Sequence, residues 1–254
     1  MKAFQRILGA SGLWFGLWLF QMLLAYTFSR PVGATVAKAI EPYTYLNSQI
    51  LPGLGELFAQ NSELGALIAT SVITAGVLSA IAWIAVSAGV VERLRGPRTA
   101  AEVFGTAASK APHMLVVTVY ACVARALALV TLGMVIGNLE QPLLKGAIIF
   151  ATWSLCTVAL DRARSQIVIH EASALHPRTL IHSFRDLIRK DPKSLAAGVA
   201  LNFAAMLVGV CSLLVLVWGL GTGWAIWAGR ALAGLTLGLT LWRIAIAVDS
   251  VERT

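Results

Sequence analysis

The chain has 254 residues, of which 58% are hydrophobic and 13% charged, with a net charge of +8 and a mean hydropathy of +0.78. Soluble domains carry about a quarter charged residues, so this composition excludes an ordinary soluble domain and points to a polytopic membrane protein. The apolar runs are continuous and lack the two-residue alternation of barrel strands, so the expected fold class is all-α.

Met1 to Arg6 is short and basic. Ile7–Phe28 (7–28) then forms an apolar run of about 22 residues, long enough to cross ~30 Å of hydrocarbon. A signal peptide would have an apolar region of about 7–15 residues ending in small residues. This run is longer and ends Tyr26-Thr27-Phe28-Ser29-Arg30, so an uncleaved first span is expected. Gly12 and Gly16 form a Gly-xxx-Gly pair that would admit a close helix neighbour. Residues 30–63 carry Pro31, Pro42 and Pro52, which break the segment into pieces such as Ala34–Ile40 and Leu54–Gln60. It is the largest part expected on the far side of the membrane, as a partner-binding surface or a passive connector.

The second span is expected over Leu64–Val91, with small residues Ser71, Ala75 and Ser79 at every fourth position. A polar connector follows over residues 97–111. The third span is Met114–Ile136 and the fourth is Leu143–Leu160, with a polar helical extension to residue 174. A second connector over residues 177–191 leads to a fifth span, Leu195–Leu220. The sixth is Trp224–Val248, with a Gly234/Gly238 contact pair. Trp14, Trp18, Trp83 and Trp153 read as packing residues. The cysteines Cys122, Cys156 and Cys211 lie inside apolar runs and act as small hydrophobes; without a Cys-x-x-Cys pair, no zinc or iron–sulfur site is indicated.

The two connectors repeat one another. Pro97, Arg98, Thr99, Phe104, Lys110, Pro112 and Leu115 recur as Pro177, Arg178, Thr179, Phe184, Lys190, Pro192 and Leu195, at a constant offset of about 80. In the second copy Leu180, Ile181, Phe184, Leu187 and Ile188 form an apolar stripe opposite His182, Arg185, Asp186 and Arg189, the pattern of an amphipathic helix. In the first copy Ala100, Ala101, Phe104, Ala107 and Ala108 hold the same places. Thr99 and Glu102 fit a capping box there. Pro112 and Pro192 are each expected to break the chain before the next span. The unit is span, amphipathic helix, span, used twice as parallel repeats about an axis along the membrane normal. Lys and Arg lie on the connector side by about five to one, which predicts both termini in the cytoplasm.

This arrangement resembles a loose group of bacterial inner-membrane families related to the membrane domain of some glycerophosphodiester phosphodiesterases. The resemblance rests on the paired spans and on the two connector endings, Phe104, Lys110, Pro112, Leu115 and Phe184, Lys190, Pro192, Leu195. It covers about Leu64 to Leu220 and implies a six-helix bundle in the bacterial cytoplasmic membrane. It implies no activity, because the chain lacks a phosphodiesterase domain.

The candidate functional residues are few. Arg125 lies near the middle of the third span, where a charge must meet a cavity, carbonyls or a counter-charge. It could bind an anionic group, meet an acid on another subunit, or be satisfied by carbonyls or by snorkelling. Asp161, past the fourth span, is its nearest candidate partner, with Arg164 one turn on. Arg230 in the sixth span reads as an interfacial anchor. Arg178, Arg185, Arg189, Lys190 and Lys193 are candidates for contact with anionic lipid heads. His170, His176 and His182 recur every sixth residue, a spacing unsuited to ligation from one helix face. No catalytic motif, metal site or cofactor loop is legible, and nothing indicates nucleic acid. The expectation is a non-catalytic accessory or scaffold subunit, with a protein partner or a second copy in the membrane. The alternative is a small transporter or lipid-handling protein with Arg125 in its pathway.

Overall fold

The computed structural model describes residues 2–40, 62–137, 140–218 and 223–253. They form helices α1 (Lys2–Gly9), α2 (Ser11–Ile40), α3 (Ser62–Arg95), α4 (Ala100–Ile136), α5 (Pro142–Ile169), α6 (Arg178–Arg189), α7 (Pro192–Trp218) and α8 (Gly223–Glu252). Six of these, α2, α3, α4, α5, α7 and α8, are long and apolar enough to cross a membrane.

Two compact units divide the chain. One comprises Leu19–Trp83, the later part of α2 and the earlier part of α3. Its described surface is apolar, with Leu23, Tyr26, Ile73 and Ile81 exposed, as suits helices surrounded by acyl chains.

The other unit, Met1–Trp18 with Ile84–Thr254, holds the core. Its buried apolar residues cluster at the charged ends of the helices: Val90, Val91 and Leu94 on α3, Met114 and Val117 on α4, Val158 to Ile167 on α5, and Leu241 to Val251 on α8. The other ends of α4 and α5 expose Leu127, Met134, Leu143 and Trp153. α7 pairs with α8 and α4 pairs with α5, while α5 also touches α6, α7 and α8. Close approach is set by small residues. A Cβ at Gly89 would lie 2.6 Å from the Val103 carbonyl oxygen, so only glycine lets α3 meet α4 there. A Cβ at Gly198 on α7 would lie 2.8 Å from Val158 on α5.

The glycine pair of α8 accepts indoles. Gly234 and Gly238 leave room for Trp18 and Trp14. Trp14 Nε1 donates to the Gly234 carbonyl at 3.0 Å, and Trp18 Nε1 donates to the Arg230 carbonyl at 3.1 Å. At Gly12 and Gly16 no atom of the described residues lies within 4 Å of an added Cβ, so no helix of this chain's described part occupies that pair.

The two connectors differ, and one residue gives a reason. Thr99 caps α4 with the expected capping box, its hydroxyl accepting from Glu102 N while the Glu102 carboxylate accepts from Thr99 N. From there α4 runs unbroken through Pro112 to Ile136, where a break was predicted. The second copy does break, between α6 and α7. Asp191 accepts a hydrogen bond from Ser194 N at 3.2 Å, capping α7 with Pro192 in its first turn. The corresponding residue of the first copy is Ala111, the best helix former and unable to cap. Without a cap to stabilise a new start, the helix continues and loses one backbone bond at the proline instead.

Other boundaries shift by local continuity. α2 runs past Phe28 to Ile40, so Ala34–Ile40 continues the helix that holds the first candidate span, Ser11–Phe28. Leu54–Gln60 and residues 219–222 of the outer turn lie outside the described residues. α5 ends at Ile169 with a C-cap at His170, short of the expected extension to residue 174. Glu171 follows with φ 54°, the left-handed conformation that usually calls for glycine after a helix.

Candidate functional site

Asp161, Arg162, Ala163, Arg164 and Ser165 are all buried. Successive helical residues rotate by about 100°, so burial of this run means that α5 is surrounded on every side at this level. Charged groups so placed require partners, and α4 and α8 supply them directly.

Asp161 pairs with Arg243 of α8, whose Nε lies 2.6 Å from Asp161 Oδ2. Arg243 Nη1 also donates to Asn202 Oδ1 of α7 at 2.5 Å, and Asn202 Nδ2 donates to Ser154 Oγ of α5 at 2.7 Å. Arg162 donates to Ser250 Oγ of α8, and Ser250 Oγ donates to Asp191 Oδ2 at 2.6 Å. The end of the second connector is thereby tied to the buried charged run of α5. Burial works against ionisation of Asp191, but the hydrogen bonds from Ser250 and Ser194 and the charge of Arg253 outweigh it, so its carboxyl lies below its ordinary range. Ser183 of α6 donates to Gln166 Oε1 of α5 at 2.7 Å.

The α4–α5 seam carries a reciprocal pair of bonds. Arg125 Nη2 of α4 donates to Thr157 Oγ1 of α5, and Arg164 Nη2 of α5 donates to Thr118 Oγ1 of α4, each at 2.8 Å. Each helix thus presents a threonine and, two turns later, an arginine, and the antiparallel register places each arginine opposite the other helix's threonine. Each hydroxyl also donates to the carbonyl one turn back, Met114 for Thr118 and Trp153 for Thr157, which orients its lone pairs toward the guanidinium. The Arg125 guanidinium also stacks over the Trp153 ring, 4.5 Å from its centroid, a favourable cation–π contact. Buried Nε atoms of both Arg125 and Arg164 lack a hydrogen-bond partner among the described residues.

These contacts correct the pairing expected for Asp161. Its ion-pair partner is Arg243, while Arg125 and Arg164 bond to hydroxyls. The cations Arg125, Arg164 and Arg243 nevertheless lie within electrostatic range of Asp161. Arg230 stands apart, its guanidinium 5.0 Å over the Trp227 ring. Arg178, Arg185, Arg189, Lys190 and Lys193 are exposed on and beside α6. Sequence reasoning missed Arg243 and Asn202, although both lie inside predicted spans, where a charged or amide side chain carries the same signal that singled out Arg125. The Thr-to-Arg spacing shared by the third and fourth spans was also legible.

A second charged group closes the same end of the bundle. Arg6 meets Glu252 at 2.5 Å and the Leu94 carbonyl at 3.3 Å, Arg93 donates to the Gly9 carbonyl at 2.8 Å, and Glu92 pairs with Arg95 and Arg98. A cavity of about 360 Å³ lies beside Arg6, Gly9, Arg93 and Pro97, but its two arginines are engaged by these carbonyl and carboxylate groups. Among the described residues no group of His, Cys, Asp and Glu is placed to hold a metal ion. No family model, curated protein or solved structure matches this chain.

Proposed function

We propose that the chain is a non-catalytic subunit, accessory or scaffold, of a larger assembly in the bacterial cytoplasmic membrane, with both termini in the cytoplasm. The observation that carries this reading is Arg125. Its guanidinium is half-buried between α4 and α5, bonded to one hydroxyl and stacked on one ring, with no carboxylate in hydrogen-bond reach among the described residues. The opposite face of α4, with Val123, Leu127 and Val130, is exposed and apolar. Such a cation within a span is a natural contact for an acidic residue of a neighbouring membrane protein. The buried charges of α5 serve a structural role by joining α4, α7 and α8. The parallel-repeat reading draws support from the connectors: Ala107 and Leu187 are both buried, and Phe104 and Phe184 are both exposed.

The test is affinity purification from native membranes in mild detergent, with mass spectrometry of the co-purifying proteins. A stoichiometric partner that is lost on Arg125→Ala is expected. A monomeric protein whose loss leaves every membrane complex intact would sink the proposal. A second reading, lipid handling or transport of an anion, is favoured by the two arginines on the seam, whose hydrogen bonds among the described residues go to hydroxyls alone. Under that reading the purified protein would carry an anionic lipid or bind phosphate, and Arg125→Ala would abolish this without dissociating any protein.

A further inference from the structure

The apolar stripe of α6 is divided between two environments. Leu180 and Leu187 pack on Val158, Ala159, Leu195 and Val199, with Ser183 buried between them. Ile181, Phe184 and Ile188 remain exposed at 62%, 38% and 50%, and Leu175 just ahead of the helix at 70%. On a helical projection these three exposed side chains fill an arc about 60° wide. The protein-packed edge borders it on one side, and Arg178, Arg185 and Arg189 border it on the other. These arginines are exposed and form no ion pair among the described residues, and the Lys190 ammonium beside them pairs with Asp186 at 3.1 Å.

We propose that α6 is an in-plane membrane helix whose exposed edge enters the interface of an anionic phospholipid bilayer, with Arg178, Arg185 and Arg189 on the lipid phosphates. Connectivity favours this occupant over a soluble partner. The helix is tethered between α5 and α7, both candidate membrane spans, which keeps it close to the bilayer surface. An apolar wedge bordered by arginines is the arrangement that buries alkyl groups below the headgroups and leaves guanidiniums level with them. Phe104, exposed at 67% near the start of α4, offers a second apolar insertion from the first connector. The contact is also linked to the interior, because Ser183 bonds Gln166, and Asp191 just beyond α6 joins through Ser250 to Arg162.

The test uses the full chain with Cys122, Cys156 and Cys211 replaced by alanine, a nitroxide at position 184 or 182, and nanodiscs of phosphatidylcholine with or without phosphatidylglycerol. The label at 184 is expected to be accessible to oxygen and protected from a water-soluble nickel chelate, and the label at 182 to behave oppositely. Nickel access at 184 equal to that at 182 would overturn the proposal by placing the edge in water. Protection of 184 from both reagents would overturn it in favour of a protein partner or a second copy.

The second measurement compares unfolding midpoints in the two nanodiscs. The wild type is expected to unfold at higher temperature with phosphatidylglycerol present. The triple variant Arg178→Gln, Arg185→Gln, Arg189→Gln should lose that difference, and the corresponding lysine variant should retain it. Each neutralised arginine is expected to weaken the preference for anionic lipid roughly fivefold. A difference absent from the wild type, or kept by the glutamine variant, would refute the headgroup role.

Discussion

Arg243 crosses from α8 to place its Nε 2.6 Å from Oδ2 of Asp161 on α5, and both side chains are almost wholly buried. Removing one partner of such a pair leaves a charge stranded in a low-dielectric interior, at a cost of about 3–5 kcal/mol. Asp161→Asn should therefore lower the unfolding midpoint in detergent sharply. Adding Arg243→Met should restore much of the loss, because it removes the stranded charge. A double variant no better than Asp161→Asn alone would show that the pair is not coupled.

The reciprocal threonine bonds should differ in strength because their arginines differ in burial. Arg164 is 6% exposed, whereas Arg125 is half-buried and retains the Trp153 ring. A hydrogen bond to a charged group contributes about 1.5–3 kcal/mol. Thr118→Val is expected near the upper end of that range and Thr157→Val near the lower, read from denaturant unfolding of the two purified variants. Equal losses would contradict the burial argument.

Asp191 predicts a dependence on acid. Its carboxyl is depressed in the folded protein, so the unfolded chain takes up that proton first as pH falls. The contribution is therefore complete above about pH 4 and is lost as pH drops through the lower folded value. Asp191→Ala should remove this acid-sensitive component and cost about 1 kcal/mol of capping at neutral pH. Unfolding midpoints of wild type and variant across the acidic range should converge at the lowest pH; parallel profiles would exclude the linkage.

The glycines separate into two groups. Gly89→Ala would drive its Cβ into the Val103 carbonyl oxygen at 2.6 Å, and the backbone must shift to admit it. Overpacking of this kind costs about 1–3 kcal/mol. Gly12→Ala and Gly16→Ala meet no atom of the described residues within 4 Å and should be neutral or slightly stabilising, since alanine favours helix. If Gly12→Ala instead breaks a co-purifying complex while leaving the isolated protein stable, that pair is a site for a partner helix.

Much of this protein was decided locally. Span positions follow from runs of apolar residues, which must satisfy their backbone bonds within the helix wherever it meets lipid. The capping box at Thr99 needs only residues within one turn. The difference between the connectors is also local, resting on aspartate against alanine ahead of a proline, although the repeat had masked it by drawing attention to what the copies share. Which charges meet was not local. Asp161 and Arg243 are far apart in sequence, and their pairing depends on the rotation and register of α5 against α8, set by the packing of many side chains together. The Thr-to-Arg spacing on α4 and α5 was present in the sequence, but it became a pair of bonds only once the antiparallel register brought position 118 opposite 164 and 125 opposite 157. The division of the α6 stripe has the same origin: periodicity gives an apolar face, and only the position of α5 and α7 determines which part of that face the protein covers.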